Sequence, residues 1–248
     1  HPRVDLAARV LDLAAPAPSD TIVDVGCGNG MYLAELARRG FAGRVLGLDL
    51  SLGMLAVARH RLSGIGPAAD VGAQENSTGP AGPVVGLANA DATALPLRDG
   101  VAGLAFAAHM LYHVPDPADA LRELRRVTRP GGRVVIVLNG AGHLRQLRAV
   151  VAAARGVDLE AMGERVTLDD GESLARSIFP NVTRHDFVAE LRVPAPRPIA
   201  DYVRSMSGTS QEADPDHVAE TVAATFPATI DGHYAITSHS GCLICQAG

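Results

Sequence analysis

The sequence predicts an α/β fold built on a doubly wound, mostly parallel sheet. Three observations predict it. Short apolar runs alternate with helical patterns through residue 139, the rhythm of strands that pair in parallel with helices on both faces. A glycine-rich turn, Gly26-Cys27-Gly28-Asn29-Gly30, joins the first apolar run to the first helical pattern. Hydrophobic residues make up 47% of the 248 positions, enough to bury a sheet on both sides.

Each element follows from its own stretch. "TIVDVG" from Thr21 is a strand, and "GMYLAELARRG" is a helix ended by Gly40. "RVLGLDL" from Arg44 is the second strand, and "SLGMLAVARHRL" is the second helix, with Ser51 as its cap. "QENSTGPAGP" is a loop rich in Gly, Pro and Ser. "VVGLANAD" from Val84 and "VAGLAFAAH" from Val101 are strands three and four. "DPADALRELRRVT" is an amphipathic helix with Pro117 in its first turn, and its "RELRR" run reads as a solvated face. "RPGGRVVIVLN" is a turn into strand five. Beyond Asn139 the rhythm changes. "AGHLRQLRAVVAAAR" and "DDGESLARSIF" are helical, "NVTRHDFVAELRV" is a strand, and "PIADYVRSM" and "PDHVAETVAATF" are helices ahead of a last strand from His233. There is no internal repeat. Helices inserted there can cover the sheet's carboxyl edge, where α/β sheets bind ligands. Residues 1–139 are therefore expected to form a ligand-binding core. Residues 140–248 are expected to supply cap helices and the last strands of the same sheet.

Composition removes several classes of function. A net charge of −5 gives no footprint for nucleic acid. No apolar stretch reaches the eighteen or so residues of a membrane span, and no signal segment opens the chain. The chain starts at His1 rather than Met, so native residues are expected before it. Three cysteines, Cys27, Cys242 and Cys245, fit a reducing, cytoplasmic setting. Cys242 and Cys245 form a CxxC, but no second ligand pair stands at zinc spacing. On a strand, positions i and i+3 face opposite sides, so both are read as buried strand thiols and no metal is expected.

The glycine turn reads GxGxG. Met31 stands where a dinucleotide fingerprint needs its third glycine. Glycine permits a tight turn and a close ligand, and the helix start offers unpaired N–H groups. Asp49 ends strand two, placed to accept from the two hydroxyls of a ribose, or merely to cap the next helix. Asp91 ends strand three, placed to accept from the exocyclic amine of adenine, or to form a turn. Leu50 and Met54 could line an adenine pocket or simply pack.

Four motifs in order, "VDVGCGNG", "GLDLSLGML", "NADATALPL" and "YHVPDPADALRELRRVTRPGGRVVI", resemble the class I S-adenosylmethionine-dependent methyltransferases. The closest likeness is to the type 11 small-molecule group that includes ubiquinone and menaquinone methyltransferases. The resemblance runs from about Ile22 to Leu138. It implies a Rossmann-like seven-stranded sheet with helical cap insertions. It further implies that Asp24, Gly26, Cys27, Gly28 and Gly30 surround the methionine part of the cofactor, that Asp49 binds its ribose, and that Asp91 and Ala92 meet its adenine. The implied reaction is methylation of a small-molecule acceptor on O, N or C, with S-adenosylhomocysteine as product and secondary metabolism as one setting. The family often carries "LHHV" after strand four, whereas here "HMLYHV" places Tyr112 at the first histidine.

His109 and His113 are four apart and would share one face of a helix. Two histidines alone do not hold zinc. Either could take a proton from an acceptor, His113 as the first candidate base, or hydrogen-bond the loop. Tyr112 and His109 are candidate substrate contacts. His143, His185, His217, His233 and His239 have no motif around them. The rival readings are a non-catalytic protein that keeps the cofactor pocket, and an NAD-dependent oxidoreductase, against which Met31 and Asp91 both argue. No membrane partner is expected, and the acceptor and oligomeric state stay open.

Overall fold

A computed structural model describes residues 5–63, 84–156, 158, 166–195, 197–206 and 215–248. The loop "QENSTGPAGP" lies outside the described residues. The chain opens on α1 (Leu6–Ala14), a helix not foreseen above, capped by the Asp5 side chain accepting from Ala8 N. There follow β1 (Thr21–Val25), α2 (Met31–Arg38), β2 (Arg44–Asp49), α3 (Leu52–Ser63), β3 (Val84–Asn89) and β4 (Ala102–Ala108). After a single 3-10 turn, Leu111–His113, come α4 (Pro117–Val127), β5 (Thr128–Asn139) and α5 (Arg145–Arg155). The chain closes with α6 (Leu168–Ile178), β6 (Asn181–Val193), α7 (Arg197–Met206), α8 (Pro215–Thr225) and β7 (Tyr234–Gln246).

The seven strands form one sheet in the order β3-β2-β1-β4-β5-β7-β6. The pairings β3–β2, β2–β1, β1–β4 and β4–β5 are parallel. β7 runs antiparallel to β5, as the bonds Ala247 N to Gly132 O and Gly140 N to His239 O show at its two ends. The Rossmann-like, doubly wound sheet expected from the sequence is thus present. Its order reverses between β1 and β4, the topological switch point at which such sheets bind ligands.

Two compact units can be distinguished: residues 1–138, 168–185 and 242–248, and residues 139–167 and 186–241. In the first, the central strands are mostly apolar because both sheet faces are covered: Ile22, Val23, Leu104, Phe106, Val135 and Ile136 are fully buried. Arg39 ties α2 to α1 by hydrogen bonds to Asp12 Oδ1 and to the Ala8 carbonyl, while its Nε holds Glu35. The second unit has its own core, formed by Leu147 and Val151 of α5, Ile199 and Val203 of α7, and Val222 and Phe226 around α8.

The helix α4 corrects one expectation. Its "RELRR" run is not simply a solvated face. Arg126 donates to the Leu95 and Leu97 carbonyls and to Asp99, and pairs with Glu123, which accepts from Leu95 N. The i,i+3 pair is folded over by the β3–β4 connection and supplies that loop with the hydrogen bonds it lacks.

Both CxxC thiols lie on β7 and are fully buried, as expected of strand thiols, and burial pushes Cys245 up to about 12. Among the described residues no group of three or more His, Cys, Asp or Glu could hold a metal, and no helix is long and apolar enough to cross a membrane.

Candidate cofactor and active site

The loop at the switch point is built by three glycines in the left-handed region: Gly26 (φ 67°), Gly28 (φ 53°) and Gly30 (φ 73°). Two of them are also required by contact. A Cβ on Gly26 would stand 2.6 Å from Met110 Cβ, and one on Gly30 would stand 3.1 Å from Ala58 Cβ. Gly30 is the N-cap residue of α2, with no side chain to cap it, so the first N–H groups of that helix face the loop. Cys27 stands between the first two of these glycines. Its backbone belongs to the loop, donating to Leu48 O, but its thiol is buried against Gly47. Burial raises that thiol, with Asp24 and Asp49 adding to the shift, so it stays protonated.

Asp49 closes β2 beside the loop. Its Oδ2 accepts from Gly28 N at 2.8 Å and its Oδ1 from Ser51 N at 2.8 Å. Each carboxylate oxygen keeps a lone pair, so the side chain is fixed in direction yet able to accept from two further donors. Ser51 caps α3 through its hydroxyl to Met54 N. Leu50 is 70% exposed and Met54 is 38% exposed, so neither is core packing. Met54 Cε lies 3.6 Å from where a Gly28 Cβ would be. Asp91 lies just past β3 and is exposed. Its Oδ1 accepts from both the backbone and hydroxyl of Thr93, which hold its pKa below the usual carboxylate value. Its Oδ2 has no partner among the described residues. Ala92 beside it is buried.

β4 delivers the other candidates. His109 closes it in the left-handed region (φ 55°), unusual for a side-chain-bearing residue, and its N–H donates to Val137 O on β5. Burial lowers its pKa, so the imidazole is neutral near pH 7. Met110 packs toward Gly26, so this segment borders the glycine loop directly. The expectation that His109 and His113 share a helical face does not hold. The backbone turns at His109 and forms only one 3-10 turn, Leu111–His113. His113 is exposed, with its ring edge-on to Tyr112 at 4.5 Å between centroids.

Sequence reasoning singled out nothing around His239. In the second unit its Nε2 lies 2.8 Å from Asp186 Oδ1 and its backbone N–H donates to His143 Nδ1. β6 beside β7 brings Asp186 to His239, and the turn that follows β5 brings His143, and no local signal announces either.

A glycine loop at the switch point, an oriented acid ending β2 and a second acid after β3 stand together at the ends of β1, β2 and β3 of this Rossmann-like sheet. Residues 23–136 match the family Methyltransf_11, described as a methyltransferase domain. The chain is 28% identical over 212 residues to a malonyl-[acyl-carrier protein] O-methyltransferase of Serratia marcescens, covering 82% of this chain and 69% of that protein. It is 33% identical over 121 residues to a demethylmenaquinone methyltransferase of Corynebacterium kroppenstedtii, covering 49% of this chain and 42% of that one. Across the first curated relatives, the match spans between 32% and 69% of their length. The fold is shared with a Haemonchus contortus phosphoethanolamine N-methyltransferase 2, solved with phosphomonomethylethanolamine and S-adenosylhomocysteine. That structure has a TM-score of 0.58 and 18% identity, over 98% of this chain and 52% of the other.

Proposed function

We propose that the protein is an S-adenosylmethionine-dependent methyltransferase whose acceptor is a small molecule. The observation that carries the reading is the Asp49 carboxylate, held by Gly28 N and Ser51 N so that each oxygen still offers a lone pair beside an open glycine cradle. That donor set suits a ribose diol. The exposed Leu50 and Met54 side chains suit the flat face of an adenine, and Asp91 Oδ2 suits its amine. The glycines Gly26, Gly28 and Gly30 and the start of α2 would hold the methionine end, near the buried acid Asp24.

Bound S-adenosylmethionine supplies a methyl group already activated by its sulfonium, so most of the protein's task is to position the acceptor. The segment from His109 to His113 borders the glycine loop and is the natural place for that. His109, neutral and mostly buried, would orient the acceptor or take its proton. Tyr112 would shape the site, and His113, exposed on the same turn, is the second proton acceptor. The acceptor can be an oxygen, nitrogen or carbon nucleophile. The experiment is turnover: S-adenosylhomocysteine formation with a panel of phenols, amines, carboxylic acids and quinols. Acceptor-dependent product supports the reading. Tight cofactor binding with no turnover on any acceptor would favour a binding protein that has lost catalysis.

A further inference from the structure

β6 is the last strand in the sheet order, so one of its edges has no neighbouring strand among the described residues. An edge strand presents backbone N–H and C=O groups that can template another strand, and natural sheets blunt such edges with Lys or Pro. The part of β6 in the second unit, Asp186 to Val193, reads "DFVAELRV" and contains neither. It is also thinly covered. Val188 is 66% exposed and Leu191 44% exposed, and Ala189 and Glu190 are exposed as well. Side chains alternate along a strand, so Phe187, Ala189, Leu191 and Val193 share one face and Asp186, Val188, Glu190 and Arg192 share the other. Val193 packs on the core of the second unit, and Leu191 and Ala189 carry that apolar row on into the exposed part of the strand. The polar face has opposite charges toward its two ends, Asp186 and Arg192. Each has one partner within the chain: Asp186 Oδ1 lies 2.8 Å from His239 Nε2, and Arg192 pairs with Asp231.

We propose that β6 is the contact of a symmetric dimer, in which this segment pairs antiparallel with the same segment of a second copy and extends the sheet across both chains. A two-fold axis perpendicular to the sheet keeps the two apolar faces on one side, and residues equally spaced about a central position then stand opposite each other. Centred on Ala189, the pairing sets Phe187 opposite Leu191 and Asp186 opposite Arg192, each twice. Slipping it by two residues sets Asp186 opposite Glu190 in one direction and Glu190 opposite its own copy in the other. Like charges directly opposite each other are destabilising, so the charges select the first register. That register also joins the existing pairs into a row of alternating charge, with Asp231 and Arg192 of one copy against Asp186 and His239 of the other. The segment is complementary to itself in charge and in apolar pattern, which is why the occupant is a second copy and not an unrelated strand.

The test is sedimentation equilibrium of the full chain over roughly 1–100 μM. The wild type should pass from the chain mass toward twice that mass within the range. Asp186→Arg sets Arg against Arg at both ends of the contact, and Arg192→Asp sets Asp against Asp. Each variant alone should stay monomeric, its dimer Kd raised at least about tenfold. An equimolar mixture of the two should associate, because each charge then meets its opposite. Should either variant fail to fold by circular dichroism, Ala189→Cys decides instead. Position 189 faces its own copy, so mild oxidation should give a disulfide-linked dimer, while the three native cysteines are buried. A wild type that is monomeric to the top of the range, or a dimer that survives both charge reversals, overturns the proposal. So does a mixture no more associated than its components, or an Ala189→Cys chain that stays monomeric on oxidation.

Discussion

Replacing Asp49 by Asn separates the charge of this side chain from its shape. In the structure one carboxylate oxygen accepts from Gly28 N and the other from Ser51 N, both at 2.8 Å. An amide keeps the size but offers one acceptor and one donor. Whichever way it is turned, its NH2 faces a backbone N–H, so one charge-assisted bond is lost and a donor is left facing a donor. Hydrogen bonds to charged groups contribute about 1.5–3 kcal/mol, and Asp49 is only half-buried, so the lower part of that span applies to stability. For a chain of this size each kcal/mol moves Tm by roughly 2–4 °C, so a fall of roughly 3–6 °C is expected. Cofactor affinity should suffer as well, because the amide can accept from at most one ribose hydroxyl. The loss of one such bond corresponds to at least about a tenfold rise in Kd for S-adenosylhomocysteine. Thermal unfolding by circular dichroism and titration calorimetry on the same preparation measure both. A variant with wild-type Tm and wild-type Kd would refute the reasoning. Lost stability with unchanged Kd would leave Asp49 as a loop brace and move the ribose elsewhere.

Gly26→Ala and Gly40→Ala share a left-handed backbone, φ 67° and 68°, but only the first meets a neighbour, Met110 Cβ at 2.6 Å. Chemical denaturation should therefore show Gly26→Ala to be the costlier by at least about 1 kcal/mol, and equal losses would contradict the contact argument. Asp24, with its folded pKa raised to about 8 against about 4 unfolded, keeps its proton in the native state where the unfolded chain has lost it. Stability due to this group is full below about pH 4 and declines as pH rises toward about 8, so Asp24→Asn should gain on wild type by about 1.4 kcal/mol per pH unit across that window. A constant difference between the two denaturation curves across pH would disprove it. Arg126→Ala removes donors from the Leu95 and Leu97 carbonyls and should cost about 1–3 kcal/mol while raising hydrogen exchange in the loop that carries Asp91. If His113 takes the acceptor proton, His113→Ala should lower turnover about a hundredfold with cofactor Kd nearly unchanged, and a wild-type rate and pH profile would remove that role.

Much of the fold was legible because buried parallel strands are written as largely apolar runs, as in β4 and the second half of β5, and in β1 apart from Asp24. Helix α1 was not read. Its place depends on Arg39 reaching back from α2 to Asp12 and Ala8, a contact no local window contains. The His109–His113 spacing suggested a helix because spacing is blind to φ, and the left-handed turn at His109 is set by its tertiary bond to Val137. Glu123 and Arg126 looked like a surface pair for a similar reason: the 95–99 segment that buries them is remote in sequence. In the site, Asp49 and the glycines stood out because strand-end acids and glycine turns have fixed positions in this architecture. That Asp24 lacks any partner could only be learned from the fold, although a single acid inside "TIVDV" is the signal that could have raised the question.

The most direct test of the central claim is titration calorimetry of the wild-type chain with S-adenosylhomocysteine, followed by NAD on a fresh sample. The account predicts one S-adenosylhomocysteine per chain with an affinity in the micromolar range common for such ligands, roughly 1–100 μM, and no heat from NAD. Saturable binding of NAD with none of S-adenosylhomocysteine would contradict it.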